Sequence, residues 1–247
     1  MMGFSGIHMD TYGFPKTAYS HLDAIPKKIK LEDELPTLID ETRENVHGEE
    51  EPYLIFNNVG AWPVQRTADR KQDAVYIEVW PPYDRYASIA QLIRDARTYA
   101  KDDKSIILAA YLKPFREGKR EKALPAARLL MGSIVSNGAT HLLTGENQTA
   151  LTQGYYSDYT KFSDSEAEAI RRYYDYMIRY GNLFFDPELQ DVTMTHTGWD
   201  NYEYQCTSHK VSSYGEAGKI WMILREKDYR TCIYLLNLCG QSEDYWN

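Results

Sequence analysis

Hydrophobic residues recur along this chain in two distinct periods. Residues 4–10, 53–59, 74–80, 105–112 and 139–145 are short apolar runs bounded by polar or Gly/Pro turns. Such runs predict strands. Over residues 88–101 the apolar positions Ile89, Leu92, Ile93, Ala96 and Ala100 recur at three and four, the spacing of an amphipathic helix. A helix is also expected within 35–45, where Pro36 suits a helix start. Another covers the mostly apolar residues 124–135, which Asn137 and Gly138 should end. A long helix is expected over 163–180, capped by Ser163 or Asp164 with Glu166 nearby. Beyond Asp186 and Pro187 the texture changes: residues 192–197, 202–207, 219–225 and 231–238 read as strands separated by turns, with no helical period between them.

Alternating strands and helices, with strands that are almost continuously apolar, imply a parallel sheet covered on both faces. Such a sheet is either open and doubly wound or closed as a (β/α)8 TIM barrel. Neither GxGxxG nor GxxxxGK[ST] follows any strand, which weakens a nucleotide-binding sheet. A full barrel needs eight strands and about 250 residues, and five strands precede the change of texture. The sheet is therefore open, or it is the second half of a barrel. The expected division is an α/β part over residues 1–188 and the start of an all-β, sandwich-like module over 189–247.

Charge and composition narrow the function. The 247 residues carry 28 Lys and Arg against 36 Asp and Glu, a net charge of −8. Nucleic-acid binding and polybasic membrane attachment both need clustered positive charge, so neither is expected. The longest plainly apolar run, residues 106–112, is too short to span a bilayer. Three cysteines without a CxxC pair exclude a disulfide scaffold and a thiolate zinc site. No signal-peptide pattern precedes the first strand, which follows almost directly on Met1-Met2-Gly3-Phe4. Tyrosine is unusually frequent, at 21 residues; its flat ring suits stacking on sugars and equally suits ordinary packing.

Strand parity then picks out two carboxylates. Side chains alternate across a strand, so Gly6, His8 and Asp10 share one face of the first strand, and Tyr76, Glu78 and Trp80 share one face of the third. Both acids fall near C-terminal strand ends, where parallel α/β folds place their chemistry. Glu78 sits in a run that should be buried, which favours its protonated form and suits a general acid. Asp10 alone is equally a turn or cap residue. Together, two carboxylates facing one pocket meet the requirement of glycoside hydrolysis. Asn57, Asn58, Trp80 and Glu146 also lie at strand ends, suited to sugar hydroxyls or rings and equally to turns and rim packing. Trp62 reads as packing. His8 reads as a hydrogen-bonding neighbour of Asp10; no HxH or HExxH pattern accompanies it, and no metal site is expected.

The segments GFSGIHMDTYG (3–13), YLIFNNVGAW (53–62), DAVYIEVWPPY (73–83), SIILAAYLKP (105–114), GATHLLTGE (138–146) and YYDYMIRYGNLFF (173–185) resemble, in order, glycoside hydrolase family 66, the dextranases and cycloisomaltooligosaccharide glucanotransferases. The resemblance implies a retaining (β/α)8 barrel acting within α-1,6-glucans (dextran, isomaltooligosaccharides), of which this chain holds strands four to eight. It implies Asp10 as nucleophile and Glu78 as acid/base, no cofactor, and an extracellular or cell-surface location. Cyclising members carry a binding module between strand seven and helix seven. Here that connection is only residues 113–122, too short for a module, so the chain is more similar to the plain hydrolases. The alternatives are a glucanotransferase of the same family and a glucan-binding fragment without catalysis.

Overall fold

The computed structural model describes residues 5–10, 16–47, 51–101, 104–154, 160–198 and 200–243. The chain begins with β1 (Gly6–Met9), a hairpin of β2 (Thr17–Ser20) and β3 (Lys27–Lys30), and α1 (Leu31–Asn45). It continues through β4 (Tyr53–Val59), α2 (Val64–Thr67), β5 (Ala74–Glu78), α3 (Tyr86–Ala100), β6 (Ser105–Ala109), α4 (Ala123–Ser136) and β7 (Thr140–His141). Then come β8 (Thr144–Gly145), β9 (Thr149–Ala150), β10 (Thr160–Lys161), α5 (Asp164–Arg179), α6 (Gly181–Phe184) and β11 (Gln190–Asp191). The last elements are α7 (Thr193–Thr197), β12 (Val211–Ser212), β13 (Ile220–Lys227) and β14 (Arg230–Asn237).

All five apolar runs contribute to one parallel sheet, in the order β1-β4-β5-β6-β7. Period-two alternation divides the side chains between two faces. Leu54, Phe56, Val75, Ile77, Ile106 and Leu108 point to one face and are buried. Those of β5 and β6 pack with the apolar stripe of α3, including Ile89, Ile93 and Ala96, and with Leu130 and Ile134 of α4. Those of β4 form a smaller cluster with Leu35 and Ile39 of α1, against which Trp62 packs. The opposite face carries Ile55, Val59 and Ile107, half-buried, and Thr140 and Leu142, exposed.

Local chemistry explains most helix limits. Ser163 accepts from the Glu166 backbone while the Glu166 side chain accepts from the Ser163 backbone, the reciprocal cap expected for α5. After α4, Gly138 adopts φ +85, and bonds from Gly138 to Val135 O and from Ala139 to Ile134 O close the last turn. The start of α1 differs from expectation: the helix begins at Leu31, and Pro36 lies inside it. Glu32, Asp33 and Glu34 in the first turn complement the helix dipole and are the better start signal.

The expected strand over 139–145 divides. β7 stays in the parallel sheet, and β8 turns away to pair antiparallel with β9. Two of the expected late strands are also absent. Residues 193–197 form α7, whose first amide, Thr193 N, donates to Asp191 Oδ1 at 3.0 Å. That acceptor side chain turns the backbone where β-branched residues read as strand. Residues 202–207 are irregular, with bends at 203–204 and 207. β13 and β14 do pair antiparallel along their whole length, and β11 and β12 flank the other edge of β13. Trp221, Ile223, Leu236 and Leu238 join the same apolar cluster as Tyr86, Ile89, Leu130 and Ile134, so the core runs across the expected boundary at residue 188. Buried Arg225 adds polar ties, donating to the carbonyls of Phe184 and Leu189 at 2.6 and 3.3 Å.

Candidate active site

The C-terminal ends of the parallel strands bring the polar groups together. β1 and β4 pair with His8 opposite Ile55, which sets Asp10 beside Asn57 two residues further along. β4 and β5 pair Asn57 with Tyr76 and Val59 with Glu78. β6 places Ala109 opposite Glu78, so Tyr111, two residues on, points to the same face.

One side chain links the two acids. Asn57 Nδ2 donates to Asp10 Oδ1 at 2.9 Å and to Glu78 Oε2 at 3.2 Å. With ideal amide geometry, in which the two N–H bonds diverge by about 120°, acceptors at these distances would lie roughly 5 Å apart. The amide orientation is fixed by its neighbours, since the reverse would set the Asn57 carbonyl oxygen against two carboxylates. Glu78, 9% exposed, has its other oxygen bonded as well: Tyr111 Oη stands 2.6 Å from Oε1. Two buried side-chain oxygens nearby, Asn57 Oδ1 and Thr152 Oγ1, have no hydrogen-bond partner among the described residues. Such groups carry an energetic cost until a donor reaches them.

The remaining expected residues divide. His8 meets the ring of Tyr76 edge-on at a centroid distance of 4.6 Å. Although His8 is exposed along the sheet edge, desolvation of its ring draws the pKa below 6.5, against the smaller upward pull of Asp10 and Glu78. Trp80, 36% exposed, stands edge-on to Tyr111 at 5.9 Å. Asn58 is placed differently. It is fully buried on the helix-facing side, donating to Tyr76 O at 2.8 Å and accepting from Thr67 Oγ1 at 2.6 Å. It ties β4 to β5 and α2 and lies on the opposite face from Asp10 and Glu78. Glu146 is exposed in the turn between β8 and β9, where its carbonyl accepts from Thr149. No hydrogen bond joins it to Asp10, Asn57 or Glu78 among the described residues.

Two residues of the site were not anticipated. Tyr111 was within reach of sequence reasoning, because continuing the parity of the predicted strand 105–112 puts 109 and 111 on the inner face. Gly154 gave no signal. It is brought there by the return of the chain, in which Leu112 N bonds to Leu151 O at 3.1 Å and Leu151 N to Leu143 O at 2.8 Å. Among the described residues no group of three or more His, Cys, Asp or Glu is placed to hold a metal ion. Two carboxyl groups about 5 Å apart can act on one sugar carbon, one as nucleophile and one as proton donor.

The chain matches glycosyl hydrolase family 66 over residues 1–247. It belongs to that family. A cycloisomaltooligosaccharide glucanotransferase of Niallia circulans is 28% identical over 123 residues, covering 49% of this chain and 12% of that protein. A second glucanotransferase of the same description and organism is 24% identical over 121 residues, again 49% of this chain and 12% of the relative. The crystal structure of a cycloisomaltooligosaccharide glucanotransferase of Paenibacillus sp. complexed with cycloisomaltoheptaose superposes with a TM-score of 0.80 at 14% identity, covering 99% of this chain and 52% of that one. This family 66 chain thus shares the fold of about half of the solved protein and matches a small part of the curated ones. No helix among the described residues is long and apolar enough to cross a membrane.

Proposed function

We propose that these residues form strands four to eight of a (β/α)8 barrel and carry the catalytic pair of a retaining, endo-acting glycoside hydrolase that cleaves α-1,6-glucosidic bonds in dextran-type glucans. Among the described residues β1 and β7 each have a neighbour on one side only, which fits strands whose partners complete a closed sheet. The observation that carries the reading is the Asn57 amide shared between Asp10 and Glu78. With ideal amide geometry the acceptor oxygens would lie roughly 5 Å apart, a spacing that supports a retaining rather than an inverting reading.

In this mechanism Asp10 attacks C1 of a glucosyl unit while Glu78 gives a proton to the departing glycosidic oxygen. A covalent glucosyl ester forms on Asp10. Glu78, now ionised, takes a proton from water, and the hydroxide formed in that step attacks C1 and frees Asp10. The two carboxyl groups supply every proton transfer and bond that both displacements need, so the mechanism calls on no metal or organic cofactor. Trp80 offers a face for stacking, and Asn57 Oδ1 an acceptor for a sugar hydroxyl. A polymeric substrate favours action outside the cell or at its surface.

The test is dextran hydrolysis by the protein carrying this chain, in wild type and in Asp10→Asn and Glu78→Gln. Loss of at least about a thousandfold in both is expected; retained activity in either removes that residue from the pair. Release of the α-anomer reports retention.

A second reading, transfer with ring closure, is favoured by the description of the curated relatives. Hydrolysis is favoured by the short connection after β6. That connection holds only two single-turn 3-10 segments, Lys113–Phe115 and Arg120–Lys122, and Arg120 fastens it to α5 through Glu166. Linear isomaltooligosaccharides as the main products support hydrolysis, and cyclic products support transfer.

A further inference from the structure

The two oxygens of Glu78 are not equivalent. Oε2 faces the Asn57 amide at 3.2 Å. An amide nitrogen has protons to give and no lone pair with which to accept one. A proton on Oε2 in that direction would meet another N–H. Oε1 faces the Tyr111 hydroxyl at 2.6 Å. A phenol can donate or accept, and this distance suits an O–H···O bond in either direction.

Gly154 confines the carboxyl from a third side. A Cβ at this position would stand 2.7 Å from Glu78 Oε1, 3.2 Å from Trp80 Cζ2 and 3.4 Å from Tyr111 Oη. Among the described residues, β1 brings two further ionisable groups toward Glu78, and Asp84 and Lys113 line the cavity beside Tyr111. Asp10 lies across Asn57, on the Oε2 side, and His8 senses both carboxylates. A cavity of about 190 Å3, whose wall includes Trp80, Asp84, Tyr111, Lys113 and Thr152, adjoins Tyr111, the residue whose hydroxyl meets Oε1.

We infer that Glu78 carries its transferable proton on Oε1 and that Tyr111 is the positioning residue that holds it there, a role that rests on Glu78 being the acid of the proposed reaction. Before cleavage the Glu78 Oε1–H donates to Tyr111. As the bond between C1 and the glycosidic oxygen breaks, its electron pair stays on that oxygen, which takes the proton from Oε1. The bond from Asp10 to C1 forms in the same step. Glu78 is left ionised, and the Tyr111 hydroxyl turns to donate to Oε1. The departing sugar leaves on the side of Trp80 and Tyr111. Asn57 keeps Oε2 as an acceptor throughout.

The experiment compares Tyr111→Phe on two substrates: dextran, whose leaving alcohol needs a proton, and a 2,4-dinitrophenyl α-glucoside, whose leaving phenolate does not. Tyr111→Phe is expected to lower kcat/KM on dextran by about tenfold to a hundredfold, carried mainly by kcat, and to change the aryl glucoside less than about threefold. Gly154→Ala, which pushes the carboxyl away from Tyr111, should show the same split between substrates and serves as the deciding variant if Tyr111→Phe does not fold. An equal loss on both substrates, or no loss on either, overturns the inference. Asp10→Asn and Glu78→Gln, run alongside, separate the cases: failure of those controls removes the proposed reaction itself, whereas a normal response from them with no substrate split removes only the role of Tyr111.

Discussion

Replacing Asn57 by alanine should change the charge balance of the site more than its shape. The amide donates to Asp10 and Glu78 simultaneously, at 2.9 and 3.2 Å. Two negative charges about 5 Å apart repel by about 3 kcal/mol at an effective dielectric constant near 20. Asp10 is exposed and screened by water, which reduces that figure to about 1–2 kcal/mol. In the wild type the shared donor offsets this repulsion, since a hydrogen bond to a charged group contributes about 1.5–3 kcal/mol. Without it the two carboxyl groups lose their common donor, and kcat/KM on dextran at neutral pH should fall by about tenfold or more. Reducing-end release measures the change. An alanine variant with unchanged kcat/KM would show that the amide does not govern how the two acids are held together.

The neighbouring Asn58→Ala should instead destabilise the fold by about 2–3 kcal/mol, seen as a lower denaturant midpoint, while the protein that remains folded keeps its activity. Trp221→Ala removes a fully buried indole shared between β13 and α3 and should cost about 3–5 kcal/mol; one cooperative transition, lowered as a whole, is expected, and an early transition confined to residues after 188 would contradict the shared core. The bonds from Arg120, with further help from Ser163, hold Glu166 at about 2, below its ordinary 4.5. Its contribution is therefore complete above pH 4.5 and lost as pH falls toward 2. Because Arg120 is 39% exposed, about 1–2 kcal/mol is the expected size after solvent screening. Glu166→Gln should remove that part of the acid dependence of the denaturant midpoint.

The legible parts of this sequence were those governed by local periodicity. Parity alone placed Asp10 and Glu78 on one face, and the spacing of Ile89, Leu92, Ile93 and Ala96 gave α3 to within two residues of each end. The cap of α5 was readable because a serine and a glutamate three apart satisfy each other's backbone. The illegible parts depend on contacts distant in sequence. Thr193 enters a helix where its amide donates to Asp191 Oδ1 and its hydroxyl donates to Leu224 O of β13. β8 pairs with β9 where Asn147 and Gln148 turn the chain at φ +56 and +58, a conformation that asparagine tolerates and glutamine does not advertise. Gly154 reaches Glu78 only through the return of residues 151–154 to the end of β6.

Asn57 and Asn58 show why residue type and strand end do not suffice to name a site. Both are asparagines, both lie near the end of β4, and both are buried, 6% and 0% exposed. Their difference follows from one step along an extended chain, which reverses the side-chain direction. Asn58 then meets helix and sheet backbone and is held by Tyr76 O and Thr67; its polar groups serve the sheet. Asn57 meets two acids, and its carbonyl oxygen has no partner among the described residues. A fold under selection for stability alone would satisfy both asparagines or replace them with apolar residues, since an unbonded buried acceptor is costly. That the uncompensated one is the one between Asp10 and Glu78 is the pattern expected where a sugar hydroxyl, arriving with the substrate, completes the hydrogen bonding of the site.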